Sequence, residues 1–235
     1  MTQHKTIMSW SGGKDSSLAL YHILQSKNFD VLALLTTITK DYGRISMHGV
    51  RCELLEQQVA SLGLTLDQIF LSVHANNAEY EAKLEEKLRF YQNQGVSHVA
   101  FGDIFLEDLR LYREKNLARI GLQGLFPIWK RDTTELMREF LDLGFRAIVT
   151  CVDTRVLDAS FSGREIDDSF LADLPNSVDP CGENGEFHSF VFAGPIFRNQ
   201  IHFEAGEKVI RDEYFCFCDL IPFGVKSKVK QETFL

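Results

Sequence analysis

The sequence predicts an α/β protein: a parallel sheet with helices on both faces, followed by a smaller α+β lobe. Three observations carry this. Apolar runs of strand length alternate with stretches of helical period through the first half of the chain. Glycines punctuate the alternation, beginning with the Gly12-Gly13 pair. The final third then turns to strand-like runs. At 235 residues, 45% apolar and 25% charged, the chain can bury the core of one large α/β domain or of a domain with a smaller lobe.

The first element is the apolar strand Thr6-Ile7-Met8. It enters Ser9-Trp10-Ser11-Gly12-Gly13-Lys14-Asp15-Ser16-Ser17, after which Leu18 to Leu24 is apolar at helical spacing. A strand, a glycine turn and a helix start present backbone N–H groups to an anion. The glycines let a phosphate approach closely, Lys14 adds a point charge, and Ser11, Ser16 and Ser17 add hydroxyl donors. Spacing excludes the Walker A loop: Met8 stands where its first glycine would be, and Asp15 where its Ser or Thr would be. Trp10 reads as packing under the helix, or as a ring for a nucleobase.

Phe29 to Ile38 is the kind of run expected of a strand buried on both faces of a parallel sheet. A polar loop from Asp41 leads through Ser46-Met47-His48-Gly49-Val50 to a helix from Arg51 to Leu62, with Gly63 placed to cap it. Its apolar side carries Leu54, Leu55, Val59 and Leu62. Gln68 to Val73 is a strand, and Asn76 or Asn77 caps a charged helix to about Gln94. Val96 to Phe101 is a strand running into Gly102-Asp103-Ile104, followed by a helix from Glu107 to Ile120. After Pro127-Ile128-Trp129, Asp132 caps a helix ending near Gly144, with Glu135 placed as in a capping box. Phe145 to Val152 is a strand, Leu157 to Pro180 is looser, and Phe187 to Phe192 and Glu207 to Leu220 are β-like on either side of a Gly194-Pro195 turn. A soft boundary falls near residue 128.

This alternation makes right-handed βαβ units, whose ligands sit at the carboxyl ends of the strands. The glycine loop, the segment after Thr36 and the Gly102-Asp103 turn all lie at that edge, with His48 and His74 on loops nearby.

Composition bounds the partners. There is no apolar run of about 18 residues, and the chain enters a strand almost at once, so neither a membrane span nor a signal peptide is expected. The five cysteines are irregularly spaced with no CxxC, which predicts buried free thiols and a reducing, cytoplasmic setting. The net charge of −8 disfavours nucleic acid, since basic residues cluster only at Lys226-Ser227-Lys228-Val229-Lys230, in a tail expected to fray. Solvent-exposed members of the 19 phenylalanines would hint at a homodimer.

The second informative stretch is Asp179-Pro180-Cys181-Gly182-Glu183-Asn184-Gly185-Glu186-Phe187-His188-Ser189-Phe190. Two glutamates three apart, with glycines between, make a tight turn able to aim both carboxylates at one point. A strand entered after Glu186 would bring His188 to the same face. Such carboxylates could hold ammonia or ammonium, bind a metal or orient a cationic substrate.

Ser11-Gly12-Gly13-Lys14-Asp15-Ser16 resembles the pyrophosphate loop of the N-type ATP pyrophosphatases, or PP-loop enzymes, of the adenine nucleotide alpha hydrolase-like superfamily. With Gly102-Asp103-Ile104, Pro127-Ile128-Trp129, Gly182-Glu183-Asn184-Gly185-Glu186 and Gly194-Pro195-Ile196-Phe197, in the same order from about residue 5 to 220, the chain resembles the diphthine–ammonia ligase family. The resemblance implies a Rossmann-like ATP-binding domain over residues 1–128, an acceptor-binding lobe over 129–225, and a tail at 226–235.

It further implies that a carboxylate-bearing acceptor, a small molecule or a modified protein side chain, is adenylated by ATP with loss of pyrophosphate. Ammonia then displaces AMP to leave an amide. Ser9, Ser11, Gly12, Gly13, Lys14, Asp15, Ser16, Thr36, His48, Gly102 and Asp103 would bind the nucleotide. Lys14, Asp15, Glu183 and Glu186 would be catalytic, with Asp15 on Mg2+, and Gly182, Glu183, Glu186 and His188 would meet the acceptor. The turn departs from its relatives, which continue as Glu-Thr after the aromatic residue where this chain has His188-Ser189. Met47 to Arg51 resembles a bacterial-type branch, and bacteria make no diphthamide, so the acceptor stays open. A tRNA-modifying thiolase, with Cys151 as its thiol, and a nucleotide-binding module without turnover are the rival readings.

Overall fold

A computed structural model describes residues 3–40, 44–45, 49–72 and 74–223. His48 and the 226–235 tail lie outside the described residues.

The first sheet forms around β1 (His4–Ser9), which pairs in parallel with β2 (Phe29–Thr39) on one side and β5 (His98–Ala100) on the other. Beyond β2 lies parallel β4 (Leu66–Leu71), and beyond β5 lies parallel β6 (Gln123–Leu125). The short β3 (Arg44–Ile45) joins β2 antiparallel. The chain leaves β1 toward β2 and later returns to its other side as β5, so the sheet reverses direction at β1. That is where an open α/β sheet leaves a crevice at its strand ends.

Side-chain alternation along the strands explains the two helical layers. Met8 and Leu34 face a core that includes α1 (Lys14–Ser26) and α2 (Cys52–Leu62), whereas Ile7, Ala33 and Leu35 face α3 (Asn77–Asn93) and α4 (Glu107–Arg119). Asn76 Oδ1 accepts the Glu79 N–H at the start of α3, and Gly63, at φ +70°, closes α2. Asp132 Oδ1 likewise accepts from Glu135 N to start α5 (Thr133–Asp142).

The second sheet is antiparallel, in the order β8 (Phe187–Ala193), β7 (Arg146–Asp153), β10 (Phe215–Pro222), β9 (Phe203–Arg211). Its Phe187, Phe190 and Val191, with Phe145 just before β7, share one continuous core with Met8 of the first sheet and Leu20 and Leu54 on α1 and α2. Polar ties cross the same junction. Asp219 on β10 takes a bidentate ion pair from Arg51 and a further bond from Arg44 Nη1 at 2.9 Å. Burial opposes ionisation of Asp219, but the two guanidiniums outweigh it and hold the carboxyl below its usual range.

Four elements differ from the sequence reading. β6 is only three residues long and lies between Ile120 and Pro127, where the sequence reading assigns no element. The run from Glu207 to Leu220 is a hairpin whose turn uses Asp212 and Glu213 at positive φ, with no glycine to signal it. The looser stretch holds α6 (Asp168–Asp173), capped by Asp167 and anchored by fully buried Phe170. Arg44–Ile45, read as loop, is β3. Four of the five thiols are buried, Cys52 partly so. Phe70 on β4, Phe90 on α3 and Phe223 after β10 are exposed. Among the described residues no helix is long and apolar enough to cross a membrane.

Candidate active site

A crevice of about 710 Å³ opens at the carboxyl ends of β1, β2 and β5, within the size range of small-ligand sites. The loop between β1 and α1 forms its floor. Gly13 is the N-cap of α1 and offers no side chain there, so apart from Lys14 N, which donates to Ser189 Oγ, the first turn has no side-chain cap to compete with an anion. Ser11 Oγ and Ser16 Oγ lie 3.1 Å apart, Ser16 Oγ donates to the Gly13 carbonyl, and Ser11 Oγ accepts from Gly13 N. Both hydroxyls line the crevice, as do Gly13, Lys14 and Asp15.

Lys14 is 4% exposed and holds both carboxylate oxygens of Asp15, at 2.9 and 2.8 Å. Burial works against the ammonium, but Asp15 and, more weakly, Glu183 reverse that and keep its pKa above the ordinary lysine value. A buried, charged lysine beside a helix N-terminus is the electrostatic condition for holding phosphate.

The walls come from elsewhere in the chain. Thr36 Oγ1 donates to the Trp10 carbonyl at 2.7 Å, fixing the loop to the end of β2. A Cβ on Gly102 would lie 2.8 Å from Asp15 C and Ser16 N, so the turn after β5 can touch α1 only through glycine. Asp103 faces the crevice, paired by Arg113 through Nε at 2.6 Å and Nη2 at 3.1 Å, and Arg113 lies over the Phe101 ring. Ser9 and Thr36 line the crevice too.

The opposite wall is the turn before β8. Gly182 and Gly185 both adopt positive φ, and a Cβ on Gly182 would meet the Phe187 ring at 2.8 Å. Glu183 projects to the crevice, where its Oε1 accepts from Ile104 N at 2.8 Å and from Phe105 N at 3.4 Å. Burial pushes its pKa up to about 7, against those two bonds. His188 lines the crevice as well; burial and then the Lys14 charge lower its pKa to about 4, so the ring is neutral at pH 7.

Glu186 departs from the sequence reading, which aimed both carboxylates at one point. It is 6% exposed and turned inward, accepting from Asp179 N, Asn184 N and Asn184 Nδ2. Its carboxylate closes the turn that presents Glu183. Asp179 does the complementary work, with Oδ1 accepting from Cys181 N and Glu183 N and Oδ2 from Thr133 Oγ1. Gly12 also stands apart from the crevice lining: at φ +77° its α-carbon faces Gln58.

Ser189 and Gln58 escaped the sequence reading. Ser189 Oγ accepts from Lys14 N across 175 residues of chain, a relation no local pattern carries. Gln58 carried a signal, since it sits one turn from Leu54 and Leu55 on the apolar stripe of α2. A polar side chain on a buried stripe needs buried partners.

Both domains of one family match this chain. Diphthamide synthase N-terminal domain covers residues 4–124, and diphthamide synthase C-terminal domain covers residues 132–220. The diphthine–ammonia ligase of Homo sapiens is 27% identical over 153 residues, 63% of this chain and 57% of that protein. That of Danio rerio is 31% identical over 126 residues, 50% of this chain and 48% of that protein. The Schizosaccharomyces pombe protein of the same name is 26% identical over 211 residues, 81% of this chain and 34% of that protein. The chain spans about half the length of the first two of these relatives. Among solved structures, the U34-tRNA thiolase NcsA from Methanococcus maripaludis aligns at 16% identity and a TM-score of 0.37, over 61% of this chain and 59% of that one. With a parallel nucleotide-type sheet, a glycine loop at its switch point, and both domain matches in order, the chain belongs to the diphthamide synthase family.

Proposed function

We propose that this protein is an ATP-dependent ligase that adenylates a carboxylate and converts it to an amide with ammonia. The observation that carries the reading is the meeting of Lys14, at the start of α1, with the Glu183 turn in one crevice. One wall suits a leaving pyrophosphate and the other an amine.

In the first step an acceptor carboxylate oxygen attacks the α-phosphorus of ATP. The bond from that phosphorus to the bridging oxygen breaks, and pyrophosphate leaves against Lys14, the serine hydroxyls and the helix start. Magnesium is ordinarily held by one or two carboxylates together with phosphates and water; Asp15, whose two oxygens are held by Lys14, would supply the carboxylate once Lys14 turns to the phosphates, and the ion would add charge neutralisation there. In the second step ammonia adds to the acyl carbon and AMP departs. Ammonium must first give up a proton, and Glu183, with a pKa near neutrality, is matched to take it. Asp103 and Gly102 border the nucleotide, and neutral His188 faces the acceptor.

The relatives are named for diphthine and ammonia. The acceptor proposed here shares the carboxylate; its remaining structure is left to His188 and Ser189, which stand after Phe187. A thiolase reading is disfavoured by Cys151, which is 1% exposed and whose pKa burial pushes up to about 12. The test is to incubate the protein with ATP, magnesium, ammonium and a panel of carboxylic acids, and to separate the nucleotides. Acceptor-dependent AMP and pyrophosphate are expected; ADP and phosphate would refute adenylation.

A further inference from the structure

We propose that Gln58 is a positioning residue that sets the pyrophosphate loop against β8, and so fixes the separation between the two walls of the crevice. Gln58 lies on α2, fully buried, and touches no crevice surface. Its Nε2 donates to the Gly12 carbonyl at 3.0 Å and to the Val191 carbonyl at 2.7 Å. Its Oε1 accepts from Trp10 Nε1 at 2.9 Å. The partners dictate the orientation of the amide: two carbonyls can only accept, and an indole N–H can only donate. Both amide hydrogens are thereby used.

The network reaches the chemistry through Gly12. The Gly12 carbonyl also accepts from Val191 N at 2.9 Å, so β8 and α2 hold one oxygen of the loop between them. Two residues along the loop, Lys14 N donates to Ser189 Oγ, again on β8. Strand β8 begins at Phe187, directly after the turn that carries Glu183. The same strand therefore carries the acceptor wall and grips the phosphate wall, and Gln58 bridges strand and loop at the point of contact. Gly12 completes the fit: a Cβ there would lie 2.8 Å from Gln58 Oε1.

An alternative role for Gln58 is packing alone, as a buried residue joining α2 to the second sheet. Ser61, one turn further along α2, provides that comparison. Its Oγ donates to Asn199 O at 2.6 Å and accepts from Asn199 N at 2.9 Å, tying the helix to the second sheet's connections without touching the loop. Loss of either anchor should lower the melting temperature. Only loss of Gln58 should loosen the loop.

This proposal rests on the nucleotide reading of the crevice, and the experiment separates the two. Gln58→Met, which keeps the length and removes the three bonds, is compared with Ser61→Ala and wild type. The measurements are melting temperature and calorimetric titration with an ATP analogue bearing a methylene between the α and β phosphates. Gln58→Met is expected to bind the analogue about tenfold more weakly, and any adenylation to fall by about tenfold or more in kcat, since small misplacements of reacting groups are costly. Ser61→Ala is expected to melt earlier yet bind within about twofold of wild type. Gln58→Glu, held protonated by burial, keeps an oxygen for Trp10 but can donate to only one of the two carbonyls, and should bind more weakly than wild type wherever it folds. Equal affinity of Gln58→Met and wild type would overturn the proposal alone. Failure of wild type to bind any adenine nucleotide would overturn the nucleotide reading, and the proposal with it.

Discussion

The Glu183 carboxylate accepts the Ile104 N–H at 2.8 Å, so a side chain of the turn before β8 of the second sheet closes the turn that follows β5 of the first. The bond brings the proposed proton acceptor beside the phosphate loop and pins it to the strand end. It also ties the protonation of one wall to the geometry of the other.

Glu183 therefore has a pH signature. Its folded pKa of about 7 lies above the ordinary carboxylate value, so the folded state holds the proton longer than the unfolded state. Stability attributed to this group is full below about pH 4 and is lost as pH rises toward 7. Glu183→Gln should match wild type near pH 4 and exceed it by up to about 3 kcal/mol above pH 8, measured by urea unfolding. Acceptor-dependent turnover, corrected for free ammonia, should rise through about pH 7 in wild type and be low and flat in Glu183→Gln. A wild-type profile without that rise would remove Glu183 as the base.

Glu186 should behave as a structural carboxylate. Removing it orphans donors of Asp179 and Asn184, at a cost of about 1–3 kcal/mol. Glu186→Ala is expected to lower the unfolding midpoint, leave ATP affinity within a few-fold and abolish most acceptor-dependent turnover by releasing Glu183. A variant with unchanged stability and lost turnover would instead give Glu186 a direct chemical role.

Gly102→Ala places a methyl carbon 2.8 Å from the backbone of Asp15 and Ser16. Neither backbone can move freely, because Asp15 and Ser16 are in the first turn of α1. The expected outcome is a folded protein destabilised by about 1–3 kcal/mol. ATP affinity should fall by more than tenfold for the same reason. Calorimetry with the nucleotide reads this directly, and unaltered affinity would separate the β5 turn from the nucleotide.

The Asp219 cluster predicts the opposite pH trend from Glu183. Arg51 and Arg44 depress its pKa, so its contribution is present above about pH 4, its unfolded value, and disappears as pH falls through the folded value. Asp219→Asn should cost about 1–2 kcal/mol at pH 7, discounted for its partial exposure, and converge on wild type once pH falls below the folded value. A pH-independent difference would assign the loss to packing against β10.

The legible parts of this protein were those in which physics is local. Apolar pattern marked β1, β2 and α2, and Asn76, Asp132 and Gly63 marked the ends of α3, α5 and α2, because capping and left-handed closure need particular residues within one turn. The glycine loop was legible for the same reason. The turn from Asp212 to Tyr214 was not, since Asp212 and Glu213 adopt positive φ without being glycine. In the site, sequence placed Glu183 and Glu186 together, but which one faces the crevice depends on Asp179 and Asn184 competing for a carboxylate. The partners of Ser189 and Gln58 are set by the docking of β8, which only the tertiary structure shows, although a polar Gln58 on the apolar stripe of α2 signals that it needs buried partners.

The central claim is cleavage of ATP between the α and β phosphates in this crevice. Two analogues separate that bond from its neighbour. With an acceptor that supports turnover, an analogue carrying an imido bridge between β and γ should still yield AMP, releasing imidodiphosphate. One carrying a methylene between α and β should bind and stay intact. The reverse pattern, with the imido analogue inert and the methylene analogue losing its terminal phosphate, would contradict the account.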